Sequence, residues 1–398
     1  MKRFLAILAA GLALTAMSAE SLGDFYNPPF GGNSIYKLAN PTMMSGGASA
    51  TGGAAYTVLP ASITFNPALV ATEQRSVLNV SWTGLLNTAK ADGADGAFGN
   101  LFQIGTIVPT RYMVIAATAQ GSIVNFSDMD LGNTVLVHAG LSKDVTDKIF
   151  VGMNLYTGFY MGSGSDFTVG CDLGFLYLMD DIGFLKRPRL GIALLNMGKP
   201  VNGNFVANGI NGSSAHINYP GIFTPRASFA ASLLDLQGFN IGFSADLYAP
   251  EFMDLAFDLG LSLSYSDVIQ FCVGWDGDLR ELLSGASLNW PSVGLNIRLT
   301  VNSKKIAEGN EAWEKSEIVP ALAWKNLYGG KQALSAGASL YLGQKDTKAP
   351  EIYLWDDAME LVDDSLLQEG GAALQDGAGG LEKAASDSSG TGASEVKE

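Results

Sequence analysis

Beyond residue 19 the chain has no run of about 18 or more apolar residues, which excludes a membrane-spanning helix. Its two cysteines rule out a disulfide scaffold. Its two histidines leave little material for acid–base catalysis or metal binding. Charge is scarce at 16% of residues, against about 25% in average globular chains. The net charge of −15 argues against nucleic-acid partners, and no basic stretch interleaved with aromatics is present. EF-hand loops, histidine clusters and phosphate-binding glycine loops are also missing, so no metal or cofactor is expected.

The chain is instead apolar and rich in glycine. Hydrophobic residues make up 47% of its 398 residues, with 48 glycines. Lys2 and Arg3 precede a short apolar run from Phe4 to Ala16, and small residues follow. Ala16 and Ser18 suit the −3 and −1 positions of a cleavage after Ser18, and cleavage after Ala19 fits as well. Residues 1–19 therefore read as a secretory signal peptide. An exported, apolar chain without a spanning helix is either a soluble protein with a large core or a barrel whose outer face meets lipid. Only helices and closed barrels satisfy the backbone in hydrocarbon.

Periodicity favours the barrel. In "MDLAFDLGLSLSY", Met253 to Tyr265, one parity carries Met253, Leu255, Phe257, Leu259, Leu261, Leu263 and Tyr265. The other carries Asp254, Ala256, Asp258, Gly260, Ser262 and Ser264. Such an alternation is a strand with one oily and one polar or small face. The same pattern recurs in "FNIGFSADLY", "IFVGMNLYTGF", "FTVGCDLGFLY" and "VGLNIRLTVN". The spacing predicts an all-β, transmembrane antiparallel β-barrel of fourteen strands. They fall over 75–87, 98–108, 111–120, 133–143, 147–160, 166–179, 188–197, 222–234, 238–249, 252–265, 267–276, 283–302, 315–326 and 333–342. Pro291 leaves 283–302 open between one kinked strand and a hairpin turning at "WPS". The longest connection, 198–221, is rich in Gly and Asn, as an exposed loop should be.

Residues 20–74 precede the first strand and do not read as strands. They hold "GGASATGGAAY" and "SITFNPALVA", which is centred on Asn66, Pro67 and Ala68. Such a segment can hang free or fold back into the lumen as a plug; small residues, which let backbone pack closely against backbone, suit the plug. These two stretches resemble the N-terminal hatch of FadL-like outer-membrane transporters of long-chain fatty acids and other hydrophobic compounds. "PRLGIALLNMGKPV" (188–201) is similar to that family's mid-barrel strand, and the strand count matches its fourteen-stranded barrel. Within the family the chain looks more like the poorly characterised spirochaete members than the enterobacterial transporters. The resemblance implies a bacterial outer-membrane location, lipid surroundings and passive uptake of fatty acids. It equally implies the other role such barrels play, as interaction or anchoring partners in protein secretion or surface display. It also places part of the ligand pocket at the extreme N-terminus, which points to Phe25, Tyr26 and Phe30.

The barrel is expected over 75–343 and an acidic tail over 344–398. Residues 350–398 carry twelve acidic residues against Lys383 and Lys397, a net −10. Such a composition reads as a solvated, mostly disordered extension. It offers a periplasmic partner a docking peptide on one reading and is a linker remnant on the other. This chain runs past its last strand, whereas barrels of this class usually end there, so the assembly signal is expected near Tyr341.

Alternation also sorts the polar residues. Asp172, Asp246, Asp254, Asp258 and Asp276 are expected to face inward, together with Arg189, Arg226 and Arg298. Two roles stay open for them: pairing with each other and the plug backbone, or recognition of a substrate head group by Arg226 and Arg298. Phe150, Leu195 and Tyr248 face inward and suit an acyl chain. Cys171 falls on the outer face and Cys272 on the inner one, too far apart in orientation for a disulfide. His138 is expected in the lumen, hydrated, with no nucleophile motif beside it, and His216 in the long loop. No enzymatic activity is expected.

Overall fold

The computed structural model describes residues 34–343 apart from 89–97, 125, 127–132, 162–164, 202–218, 237, 253, 279–289, 303–314 and 328–330. Phe25, Tyr26, Phe30, the leader, His216 and the acidic tail lie outside the described residues.

Strands form where the alternation is sustained. They are β1 (Ser76–Asn87), β2 (Phe98–Pro109), β3 (Val114–Ile123), β4 (Asn133–Thr146), β5 (Ile149–Met161), β6 (Ser165–Leu178), β7 (Lys186–Lys199) and β8 (Thr224–Leu236). After them come β9 (Phe239–Tyr248), β10 (Ala256–Tyr265), β11 (Ile269–Asp278), β12 (Ser292–Ile297), β13 (Leu299–Asn302), β14 (Lys315–Asn326) and β15 (Lys331–Leu342). Each pairs antiparallel with its sequence neighbour, and β1 pairs with β15. Both β12 and β13 pair with β14, so they are two pieces of one stave broken at Arg298. The fifteen segments therefore close as a fourteen-stranded barrel. Of the ambiguous stretch, 283–289 lie outside the described residues; Trp290 and Pro291 stand just ahead of the stave, which runs on from Ser292.

The alternation fixes the two faces. Leu78, Val80, Phe102, Ile104, Val137, Leu155, Phe159, Leu261, Phe271 and Leu322 are exposed on the outside. An exposed belt of this kind is stable only against lipid. Among the described residues no helix is long and apolar enough to cross a membrane.

One expected strand is shorter than its pattern. The alternation begins at Met253, yet β10 begins at Ala256, because Pro250–Phe252 forms a 3-10 turn with Glu251 and Phe252 at positive φ. Asp254 is therefore in the loop rather than on the inward face of a strand, and its carboxylate accepts from the Leu255 amide. Proline lacks the amide donor a ladder needs, and here it outweighs period 2.

Strand direction alternates, so β1 begins and β15 ends at one end of the barrel, here called the terminal end. Short turns sit there. In one of them Ser266 and Asp267 both adopt positive φ (52° and 54°), the geometry of a tight hairpin turn. The opposite end carries the longer connections and is called the loop end.

Candidate functional site: the inward face and the segment packed on it

Residues 34–75 are not extended. They form short helical turns at Ile35–Leu38, Met43–Gly47, Gly53–Tyr56, Pro60–Thr64 and Pro67–Thr72. Almost all of them are buried, and their partners are inward-facing strand residues. Ser81 Oγ donates to the Ala39 carbonyl, Thr83 Oγ1 to that of Leu38 and Ser292 Oγ to that of Met44.

The Asn66-Pro67-Ala68 element explains itself locally. Asn66 is extended (φ −163°), and its side-chain oxygen accepts from the Ala68 amide at 3.0 Å, capping the turn that Pro67 opens. Its amide nitrogen donates to the carbonyls of Ala50 (2.7 Å) and Phe175 (3.0 Å). One side chain thus ties the turn, the preceding small-residue stretch and β6 together.

The wall is carved to receive this segment. A Cβ on Gly174 would strike the Asn66 side-chain oxygen, and one on Gly152 would lie 2.5 Å from the Pro67 carbonyl carbon. Sequence reasoning credited close approach to the small residues of the segment. Glycines on the inward parity of the strands contribute as much, and their parity was the readable signal.

Three carboxylates stand in one row near the loop end. Asp258 is directly opposite Asp246 across β9–β10 and opposite Asp276 across β10–β11. Like charges in register repel, and all three are buried, so the row requires cations. Arg226 bonds Asp246 through Nε (2.7 Å) and Asp258 through Nη2 (2.9 Å). Lys325 reaches Asp276 at 2.5 Å. Lys37, from the segment, bonds Asp258 and lies 3.3 Å from Asp276. Three cations thus face three anions, and only Lys37 comes from outside the wall. Burial opposes the charge of Lys37, but Asp258 and Asp276 outweigh it and hold its pKa above the usual 10.5. Backbone joins in: the Ala50 amide donates to Asp246 (2.7 Å), and Arg226 Nη2 donates to the Ala48 carbonyl (2.8 Å).

A second cluster lies at the terminal end. Arg75 bonds Glu73 (2.8 Å) and Glu317 (2.9 Å) and stacks on Tyr341, 4.5 Å from the ring centroid. Arg298, partly exposed, bonds the same Glu317 at 3.2 Å.

The remaining sequence-derived residues distribute around these clusters. Tyr248 lies beside Arg226, with 4.9 Å from guanidinium carbon to ring centroid. Phe150 packs with Ala68, Leu69, Ala71 and Leu176. Leu195 is buried on the inward face of β7. Arg189 faces inward beneath Tyr56, with 3.8 Å from guanidinium carbon to ring centroid. Arg226, Arg298 and Arg189 are on separate staves and do not form one site. His138 is buried between Tyr36 and Tyr156, and Asn154 contacts its Nδ1 at 3.0 Å and bonds Asp172. It is enclosed by protein rather than hydrated as expected, because Tyr36 of the segment covers it. Cys171 and Cys272 are free thiols. Lys37 and Lys325 were missed. Lys325 is on the inward parity of β14, whereas Lys37 sits in a segment with no period to read.

No family model matches the chain, and neither does any curated protein. Among solved structures, a Pseudomonas aeruginosa FadL homologue is similar at 12% identity and a TM-score of 0.41, over 80% of this chain and 98% of that one. The Ralstonia pickettii toluene transporter TbuX is similar at 12% identity and 0.46, over 77% and 98%. The Pseudomonas putida toluene transporter TodX is similar at 10% identity and 0.44, over 80% and 99%. At such values these likenesses bear on neither substrate nor activity.

Proposed function

We propose that the chain is an outer-membrane channel for passive uptake of hydrophobic compounds, with long-chain fatty acids as its substrate class. The observation that carries this reading is the filled lumen. Residues 34–75 are bonded to the inward face from the Lys37 cluster at one end to the Arg75 cluster at the other. A barrel occupied in this way is ill suited to hydrated ions. It suits a solute that gains from burial, at about 0.8 kcal/mol per methylene. In this reading residues 1–19 are removed, 20–74 are the plug, 75–343 the barrel and 344–398 an acidic extension. Phe150 and Tyr248, with Phe25, Tyr26 and Phe30, line the path of the apolar chain. The fatty-acid assignment rests on the resemblance of the hatch sequence.

Mass spectrometry of material copurifying with the barrel tests the substrate class. Fatty acids in the extract support it. A stoichiometric protein partner, without lipid, favours the secretion or anchoring role instead. Deleting residues 20–60 is expected to raise single-channel conductance in planar bilayers, and unchanged conductance refutes the plug.

A further inference from the structure

Arg189 differs from the other inward arginines among the described residues. The guanidinium of Arg226 is engaged by two carboxylates and a carbonyl, and that of Arg298 by Glu317. Arg189 has no carboxylate partner among the described residues, and its Nη1 is buried without a hydrogen-bond acceptor. Asp181, in the turn ahead of β7, is taken by Lys186 Nζ and the Arg187 amide, both at 2.8 Å. A guanidinium does not lose its proton, so its charge stays where it is. The side chain is half-buried with Nη1 fully so, and charge taken out of water without a partner is costly. The Tyr56 ring face, 3.8 Å away, offsets part of that cost and leaves Nη1 without an acceptor.

The surroundings are shaped around this pair. Tyr56 Oη donates to the Arg187 carbonyl at 2.5 Å, which fixes the ring. Three non-glycine residues near the contact hold positive φ: Ala54 (44°), Tyr56 (75°) and Arg187 (49°). Strained backbone of this kind persists only where the surroundings over-determine it, and it clusters at ligand clamps. The ladder between β7 and β8 also shifts register between Lys186 and Arg189. Both neighbours of Arg189 in the sheet are apolar. Leu178 lies opposite it on β6 and Ala230 on β8. Leu178 in turn packs against the cluster of Leu69, Phe150 and Leu176. A bidentate cation thus sits at the head of an apolar strip.

We propose that Arg189 is the head-group site for an amphiphilic organic acid. Its guanidinium donates two hydrogen bonds to the carboxylate, while the hydrocarbon chain runs from Leu178 towards Phe150. The proposal rests on the uptake of hydrophobic compounds argued above and assigns the polar end of the substrate. Arg226 and Arg298, in contrast, belong to the ion pairs that hold the segment.

The test uses the full mature protein in non-ionic detergent, with laurate, lauryl alcohol and acetate as probes. Heat-modifiable migration serves as the check that each variant is folded. Laurate is expected to bind the native protein more tightly than the alcohol of the same length. In Arg189→Met its affinity should fall by at least about tenfold, the scale of a lost charge-assisted hydrogen bond, while the alcohol binds unchanged. Arg189→Lys, which keeps the charge and loses the fork, should fall between the two. Laurate binding equally well to Arg189→Met overturns the proposal and leaves hydrophobic uptake standing. Acetate competing as effectively as laurate also overturns it, since the site would then take a small anion. Failure of both laurate and the alcohol to bind the native protein overturns the uptake reading together with this one.

Discussion

Replacing Lys37 with methionine isolates the contact on which docking of the segment most depends. The substitution keeps the length of the side chain and removes one cation from a cluster of three against three. Asp258 and Asp276 are left buried, with Arg226 and Lys325 to serve three carboxylates. Breaking a buried ion pair by removing one partner costs about 3–5 kcal/mol. The Lys37 side chain is only 5% exposed, so little solvent screening reduces that figure. No strand ladder passes through Lys37, and the barrel should stay closed. The cost then falls on docking of the segment, whose open population should rise by roughly a hundredfold to a few thousandfold. Planar-bilayer recording reads this directly as more frequent open events. Adding Asp258→Asn removes the surplus anion, and the double variant should regain most of the quiet baseline. The pH dependence has a definite sign. The folded pKa of Lys37 is raised above its ordinary 10.5, so its contribution is whole below 10.5 and is lost as pH rises through the folded value. The Lys37 contribution, read as the difference in conductance between native and Lys37→Met channels, should therefore stay constant from neutral pH to about 10.5 and shrink above it. A Lys37→Met channel as quiet as the native one, or a double variant worse than the single, would refute the reasoning.

Gly174→Val should unseat the Asn-Pro-Ala turn, since even a Cβ there meets the Asn66 side chain. Its conductance should rise while heat-modifiable migration persists, and a native baseline would mean the turn has room to move. Truncation after Gly343 keeps all of β15 and the stacking of Arg75 on Tyr341, so membrane insertion should be unchanged. Loss of insertion would place the assembly signal in residues 344–398.

Much of this fold was legible because a strand announces its two faces locally. The parity of Asp246, Asp258, Asp276 and Arg226 followed from alternation alone, and each is inward and buried. Parity gives the face but not the height along the barrel. That the three aspartates stand in one row depends on strand register, which the turns set and a single sequence does not display. β10, expected from 252, starts late where Pro250 opens a turn beneath an unbroken alternation. The segment before β1 was recognisable by composition and by its Asn-Pro-Ala turn. Its helical turns are too short to carry a hydrophobic period, so Lys37 looked like any surface lysine.

The two charge clusters also differ in what they permit. Arg75 stands one residue ahead of β1, and Ser76 is already in the ladder against Leu342. The terminal-end cluster therefore fastens a point of the chain that the barrel holds in place anyway. Lys37 is 38 residues upstream of Arg75 along the chain, at the other limit of the described segment. Between them lie the Arg226 and Asp246 contacts to residues 48–50 and the Asn66 contacts to β6. In the opening that the proposed function requires, withdrawal is expected to start from the Lys37 side, because the Arg75 side runs directly into β1. Lys37 is expected to separate first, then residues 38–44 with their bonds to β1, β2 and β12, then residues 48–50, then Asn66. The first step exposes the aspartate row beside β9–β11 and leaves the Asn-Pro-Ala turn seated. On the proposed plug reading, the cluster that takes its sixth charge from the segment is where opening is expected to begin, and the cluster anchored at Arg75 is where it is expected to stop.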